Sequence, residues 1–490
     1  MDKFLLQDEI FIDEDIESKS KSSVECLGKE FVNEEARREY YTNILREKLM
    51  DPEFRKIEGF PLGEDEDILA LSDPPYYTAC PNPFLSEFIQ HYQKYENGSS
   101  VSYSRQPLAI DVKQTRDTII YSAHTYHTKV PPQAVAHYIE YFTEPGDLIL
   151  DAFSGSGMTG VACKLFKEGE ERCVILCDLS PAATFISATY MDPPDPKDFE
   201  KSSLMLLNDA QKEMDPFWTI DLDEGKSEIE FEVWTELFTC PNCQRNVESM
   251  EVVSATEEIG AAKAFKCPHC GTLVSKAPTK KSGAIRLERH LQTRYDVGLN
   301  KIIQYLPRIP MIIQVTDKRI GRRKVKTPLD HREKLLCMDY SSAYWFPVDK
   351  LIEGERYCDK DYLPSYGITH IHHFYLPRQL KSFSLLWHIA KSQTDKKLRR
   401  ALFFFLTSNA LGFTILNRFG PTHYSQVNKY FSGTLYVPST IAEASPHYVY
   451  RNKQKRLVKA FSELTKNRSH KHIITTQSST NIKFIPDNSI

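Results

Sequence analysis

The chain of 490 residues has no apolar run approaching the roughly 20 residues that a bilayer-spanning helix needs. Its opening stretch, MDKFLLQDEIFIDEDIE, is acidic and unlike a signal peptide. An excess of charge of one sign is also missing. The formal charge is −4, from 62 Lys and Arg against 66 Asp and Glu, so no global basic field draws nucleic acid, and any such contact must rest on local patches. The cysteines number 11. An odd count without a secretory signal argues against a disulfide framework and for reduced thiols, a cytoplasmic setting and a metal site. What the chain has in plenty is length, enough for two or three domains.

The stretch DLILDAFSGSGMTG, residues 147–160, organises the rest. An apolar run ends at Asp151, then comes Phe153-Ser154-Gly155-Ser156-Gly157, then an apolar stretch with Val161, Ala162 and Leu165. That is a buried strand, a glycine turn and a helix start, a layout that brings backbone close to a nucleotide-like ligand. Gly155 and Gly157 permit tight backbone and leave no side chain in a ligand's way. A GxG alone is weak, because many strand-to-helix turns use glycine for sterics only. Downstream, CVILCDLSPAA (173–183) is a second buried strand ending in an acid, Asp178, about twenty residues past the glycines, where Rossmann-like folds hold ribose hydroxyls. Upstream lies HTYHTKVPPQAVAHYIEYFTEPGD (124–147).

Together these segments resemble the cofactor half of the amino-methyltransferases, which methylate exocyclic amines of DNA bases with S-adenosylmethionine. The resemblance covers roughly residues 120–190. It implies a cofactor site built from Tyr126, His127, Lys129, Asp151, Phe153, Ser154, Gly155, Gly157 and Asp178. For Tyr126, His127 and Lys129 the plainer alternative is a partly buried loop that steadies the following helix, 133–143.

A second signature of the same family stands earlier, Asp73-Pro74-Pro75-Tyr76, after an apolar run (68–71) that we expect to be a strand. An exocyclic amine is a poor nucleophile because its lone pair is conjugated into the ring. In the family the Asp carboxylate and the first proline's carbonyl accept its two N–H groups, and the aromatic stacks on the base, which is flipped out of the duplex. Asp at the first position leans towards adenine N6 over cytosine N4. The alternative is that Pro-Pro ends a strand and Tyr76 packs.

Cys240-Pro-Asn-Cys243 and Cys267-Pro-His-Cys270 are two CPxC knuckles separated by 23 residues. This spacing is that of a zinc ribbon, in which four thiolates close a tetrahedral Zn2+ and leave no open position. Beyond it, Lys318, Arg319, Arg322, Arg323 and Lys324 alternate with Ile320 and Val325, the pattern of a hairpin offering cations to phosphates. A solvated hairpin is the bland alternative. Residues 451–472 form a second basic stretch.

The expected fold is α/β: a Rossmann-like methyltransferase sheet, permuted or incomplete, with an inserted zinc ribbon and a helical region. Strands are expected near 67–72, 147–151, 173–178 and 481–485. The divisions are 1–50, an arm and helix; 51–195, the methyltransferase core; 196–345, the ribbon and basic insertion, assigned to target recognition; 346–470, a helical region; and 471–490, a return to the core. The resemblance implies a DNA adenine-N6 methyltransferase of a modification or defence system, with a partner chain or cognate nuclease among its partners and no membrane. Other readings stay open: a cytosine-N4 or RNA enzyme, and a non-catalytic DNA-binding subunit or part of a split enzyme in which the early DPPY is a structural copy.

Overall fold

The computed structural model describes residues 23–93, 103–111, 118–222, 225–248, 264–276, 278–317, 321–352, 354, 362–423, 425–431, 433–466, 471–487 and 489–490. The chain divides into two compact units. One comprises Met1–Ser122, Thr128–Asp195 and Ala460–Ile490, the other Ala123–His127 and Pro196–Lys459.

The first unit is built on a parallel sheet of three strands in the order His472–Thr476, Cys173–Asp178, Leu148–Asp151. Alternate residues of these strands enter two different cores. Val174, Leu176 and Ile474 pack with Leu45, Leu49, Phe54 and Ile68, while Cys173, Ile175 and Ile473 pack with Tyr41, Phe84, Phe88 and Ile89. This is the period-2 logic of a strand buried on both faces. Each such aliphatic side chain contributes about 1.5–3 kcal/mol of burial. The strand Leu148–Asp151 is less enclosed, with Leu150 37% exposed, because no described strand pairs with its outer edge.

Two expected strands lie elsewhere. Residues 68–71 belong to a helix, Asp65–Leu71, whose first turn carries Asp65, Glu66 and Asp67. Acids at a helix N-terminus are favourable, and a four-residue apolar run does not itself distinguish strand from helix. The C-terminal strand is His472–Thr476 rather than 481–485, where the chain turns and Phe484 has φ 69°. Its sequence, HIITT, is wholly buried and rich in β-branched residues, without the alternation that marks a half-exposed strand. The expected early helix is found at Glu34–Leu49, with Asn33 accepting from the Ala36 N–H (2.8 Å) and Arg46 and Lys48 in its last turn.

In the second unit a fifteen-residue strand, Gly225–Thr239, is the axis of an antiparallel sheet. Arg308–Asp317 and Thr440–Ala444 pair with its central part, and Gly321–Lys326 extends the sheet beyond Arg308–Asp317. Glu232 and Glu443 lie opposite one another on these strands and are fully buried. Arg378 donates to both, at 2.8 Å to Glu232; the Trp234 indole N–H adds a bond to Glu443 (2.7 Å). Burial opposes charge on Glu232, but Arg378 and His331 outweigh it and hold this carboxyl below its usual range. Glu443, with less compensation, is pushed up by burial. The apolar stretch 374–418 forms two helices, Pro377–Lys391 and Lys396–Thr407. No described helix is long and apolar enough to cross a membrane.

Candidate cofactor and metal sites

The glycine turn follows the strand Leu148–Asp151 at the carboxyl end of the sheet, where open α/β sheets receive ligands. The acids that end the strands Leu148–Asp151 and Cys173–Asp178 are both used to shape it. Asp178 accepts from the Gly155 N–H (2.8 Å) and the Ser180 N–H (2.9 Å). Asp151 accepts from the Phe153 N–H (3.1 Å) and the Thr159 hydroxyl (2.5 Å). Each carboxylate oxygen keeps acceptor capacity after these bonds.

Gly157 starts the helix Met158–Cys163 with φ 78°, and a Cβ there would sit 2.6 Å from Ser187 Oγ. A Cβ on Gly160 would meet Met191 Sδ at 2.6 Å. These two glycines are therefore required by the packing of the helix Pro181–Met191 as well as by the turn. The Ser154 and Ser156 hydroxyls are buried and have no hydrogen-bond partner among the described residues. An orphaned buried hydroxyl is costly, so two in one turn call for a ligand or water. Phe153, 82% exposed, and Leu179, 57% exposed, stand beside the turn as an uncovered apolar surface. A polar cradle, fixed acceptors and an apolar wall fit a cofactor of the S-adenosylmethionine kind.

Of the upstream trio, Tyr126 and His127 are assigned to the second unit and Lys129 to the first. The Lys129 ammonium donates to the Tyr121 carbonyl and lies 4.5 Å from the Tyr121 ring centre; burial lowers its pKa to about 8.

The segment Asp73–Tyr76 is placed quite differently. Asp73 and Tyr77 exchange backbone bonds (2.9 and 3.1 Å) around a tight turn, and Tyr76–Cys80 then runs alongside His472–Thr476, with the Ile474 N–H on the Tyr76 carbonyl (2.8 Å). The turn therefore lies on the side of the sheet away from Leu148–Asp151, with Asp73 in the same cross-strand row as Asp151. Counting across the row Asp73, Tyr77, Ile474, Leu176, Asp151 gives four strand spacings, roughly 19 Å at about 4.8 Å each.

Its acceptors are also engaged. Arg37 donates to the Pro74 carbonyl (2.6 Å) and to the Asp73 carboxylate (3.0 Å), and Arg38 adds a bond to Asp73 at 3.2 Å. Arg37 is 1% exposed and its guanidinium sits 5.2 Å from the Tyr76 ring centre. Burial works against its charge, but Asp73 and Glu34 outweigh this and leave it more firmly protonated than a free arginine. Burial likewise pushes the Tyr76 hydroxyl well up. Pro74 and Pro75 are buried, and the Pro75 carbonyl accepts from Asn82 (2.8 Å). Sequence reading did not single out Arg37 and Arg38, which look like ordinary polar positions of an amphipathic helix.

The four ribbon cysteines converge. Cys240 and Cys270 sulfurs are 3.8 Å apart, as are those of Cys243 and Cys267, and all four lie within 4.8 Å of one another. Four Zn–S bonds of about 2.3 Å at tetrahedral angles require S···S of about 3.8 Å, so the set fits zinc. Each knuckle turns through a left-handed residue, Gln244 (φ 58°) and Gly271 (φ 73°), with the N–H of each on the carbonyl of the first cysteine (2.9 Å). Phe238, Val247, Phe265, Val274 and Leu287 form a small core under them.

In the basic hairpin, Lys318 and Arg319 lie outside the described residues. Arg322, Arg323 and Lys324 alternate along the strand Gly321–Lys326 and so do not share one face. Arg322 ion-pairs with Glu230 and reaches the Tyr448 hydroxyl (3.3 Å). Its charge is largely spent inside the unit.

Comparison with known proteins bears on the first unit. Residues 64–187 match the family model described as DNA methylase. Over this segment the chain is similar to DNA methylases. No curated protein and no solved structure gives a significant match. The matched segment contains both the glycine turn and Asp73–Tyr76, and the DNA methylase family it matches implies S-adenosylmethionine as methyl donor and DNA as substrate.

Proposed function

We propose that the chain binds S-adenosylmethionine at residues 151–157 and 178–179 and serves methylation of an exocyclic amine of a DNA base. The observation that carries this is the glycine turn, with its two orphaned serine hydroxyls and fixed carboxylates, within the segment that matches the DNA methylase family model. The bound cofactor would supply an electrophilic methyl group on sulfonium. For the protein's part, Gly155 and Gly157 give the cofactor close access to backbone, and Ser154 and Ser156 offer hydroxyls to its polar groups. Asp178 presents acceptors for ribose hydroxyls, and Phe153 and Leu179 cover an apolar face.

Within this reading Asp73–Tyr76 is a structural turn rather than the base cradle. Arg37 already takes both the carboxylate and the carbonyl that an amine would need, and Asp73 stands four strand spacings from Asp151 in the sheet. The acceptors that orient the amine then come from residues other than 73–76, on this chain or on a partner. The preference for adenine N6 drawn from Asp73 loses its basis, and adenine N6 and cytosine N4 stand level.

The test combines calorimetric titration of the purified chain with S-adenosylmethionine and assay of tritiated methyl transfer to unmethylated DNA and to RNA, the modified base being identified by mass spectrometry. Saturable cofactor binding with N6-methyladenine or N4-methylcytosine in DNA supports the function. Cofactor binding without transfer supports the placement of the cofactor and the need for a partner. No binding sinks the proposal.

A further inference from the structure

The second unit holds another cluster of ligating side chains. Asp296 ends the strand Gln292–Asp296, and His372 and His373 lie in the helical turn Ile371–Phe374. Asp296 and His372 are fully buried and His373 is 5% exposed. Both imidazole Nε2 atoms converge on the same oxygen, Asp296 Oδ2, each at 2.9 Å. The other carboxylate oxygen accepts the Leu299 N–H (3.1 Å), which fixes the orientation of the group.

Charge makes this arrangement notable. No Lys or Arg among the described residues ion-pairs with Asp296. A carboxylate buried without such an ion pair is expensive in a low-dielectric interior. A divalent cation would remove that cost. The donor set, two nitrogens and one carboxylate, is one that first-row divalent metals take, with a position left open.

The geometry is close to what such an ion needs. The three donor atoms lie within 4.8 Å of one another. Bonds of about 2.0–2.1 Å at tetrahedral angles place donors roughly 3.3–3.4 Å apart, so the two 2.9 Å contacts need to open by about 0.4 Å. Metal on Nε2 moves the ring proton to Nδ1. For His373 the Thr369 hydroxyl, 3.4 Å from Nδ1, can then accept it in place of the present bond from the Thr369 N–H (3.2 Å). For His372, Nδ1 is buried with no hydrogen-bond partner among the described residues, so it can take the ring proton without an existing bond being broken. Tyr340 stacks on His373 with its ring 6.2 Å away, and His373 also borders a cavity of about 560 Å³ that gives a path for entry.

We propose that Asp296, His372 and His373 form a second metal site, distinct from the four cysteines, that takes a first-row divalent cation such as Zn2+. It clamps the hairpin at 296 to the turn at 372–373, segments 76 residues apart in sequence.

Metal counting on the full chain tests this. The protein is purified from zinc-supplemented cells, passed into metal-free buffer and measured by plasma mass spectrometry. Two metals per chain are expected, falling to one in Asp296→Asn and in His372→Gln. Replacement with Co2+ reads the cysteine site separately through its thiolate-to-cobalt charge-transfer band, which should persist in both variants. One metal in the wild type accompanied by that band overturns the proposal, as do two metals surviving both substitutions. Should the substitutions unfold the second unit, the wild-type count with its cobalt spectrum decides alone.

Discussion

Replacing Asp73 with alanine separates a structural turn from a catalytic one. The substitution strips Arg37 of one of its two carboxylate partners while Arg37 stays 1% exposed, and it removes the bonds from Arg38, which is 21% exposed. Breaking a buried ion pair from one side costs about 3–5 kcal/mol. Arg37 retains Glu34 and the Pro74 carbonyl, and Arg38 can recover water, so the lower end, about 3 kcal/mol, applies. For a cooperative unit of this size each kcal/mol moves Tm by about 2–4 °C, which gives a fall of about 6–12 °C. Calorimetric melting supplies that number, and titration well below the transition should find S-adenosylmethionine affinity changed less than about threefold. Arg37→Met should give a fall of similar size by removing the other partner. An Asp73→Ala protein that melts within about 2 °C of the wild type yet loses all methyl transfer would refute the reasoning and return Asp73 to the chemistry.

Three further outcomes are expected. Gly157→Ala puts a Cβ 2.6 Å from Ser187 Oγ at a positive φ, so cofactor binding should weaken at least tenfold by calorimetry, with Tm lowered by several degrees. Cys267→Ser, or a strong chelator, should release the ribbon's zinc and expose the core around Phe238 and Phe265 to limited proteolysis; unchanged cleavage would mean that no metal supports it. His447 is buried with neither ring nitrogen hydrogen-bonded among the described residues, and burial lowers its pKa. A histidine whose folded pKa is depressed favours folding fully above its unfolded value near 6.5, and that contribution is lost as pH falls from there towards the folded value. Melting temperature should therefore decline between pH 7 and 5 less steeply in His447→Leu than in the wild type; equal slopes would exclude this residue as a source.

Features that depend on local spacing can be read from the chain without its fold. The turn at Ser154–Gly157, the acids Asp151 and Asp178 and the paired knuckles at 240–243 and 267–270 are legible because close approach of backbone and tetrahedral thiolate geometry demand particular residues at fixed offsets. The run Ile68–Leu71 was misread because four apolar residues have no period of their own, and only its docking against Ile474 and Leu176 selects the helix. His472–Thr476 escaped because a fully buried parallel strand carries no alternation.

Where those residues stand and what they face depends on packing. An Asp-Pro-Pro-Tyr sequence offers the same acceptors wherever it lies. The distant helix Glu34–Leu49 sets two arginines against it, and pairing with the C-terminal strand puts it at the far edge of the sheet. Likewise, residues 296 and 372–373 have no motif between them, and their carboxylate and imidazoles meet only when a hairpin and a turn fold together. Local chemistry is written in spacing; which groups face one another across 76 or 36 residues is fixed by the packing of elements that a one-dimensional pattern does not encode.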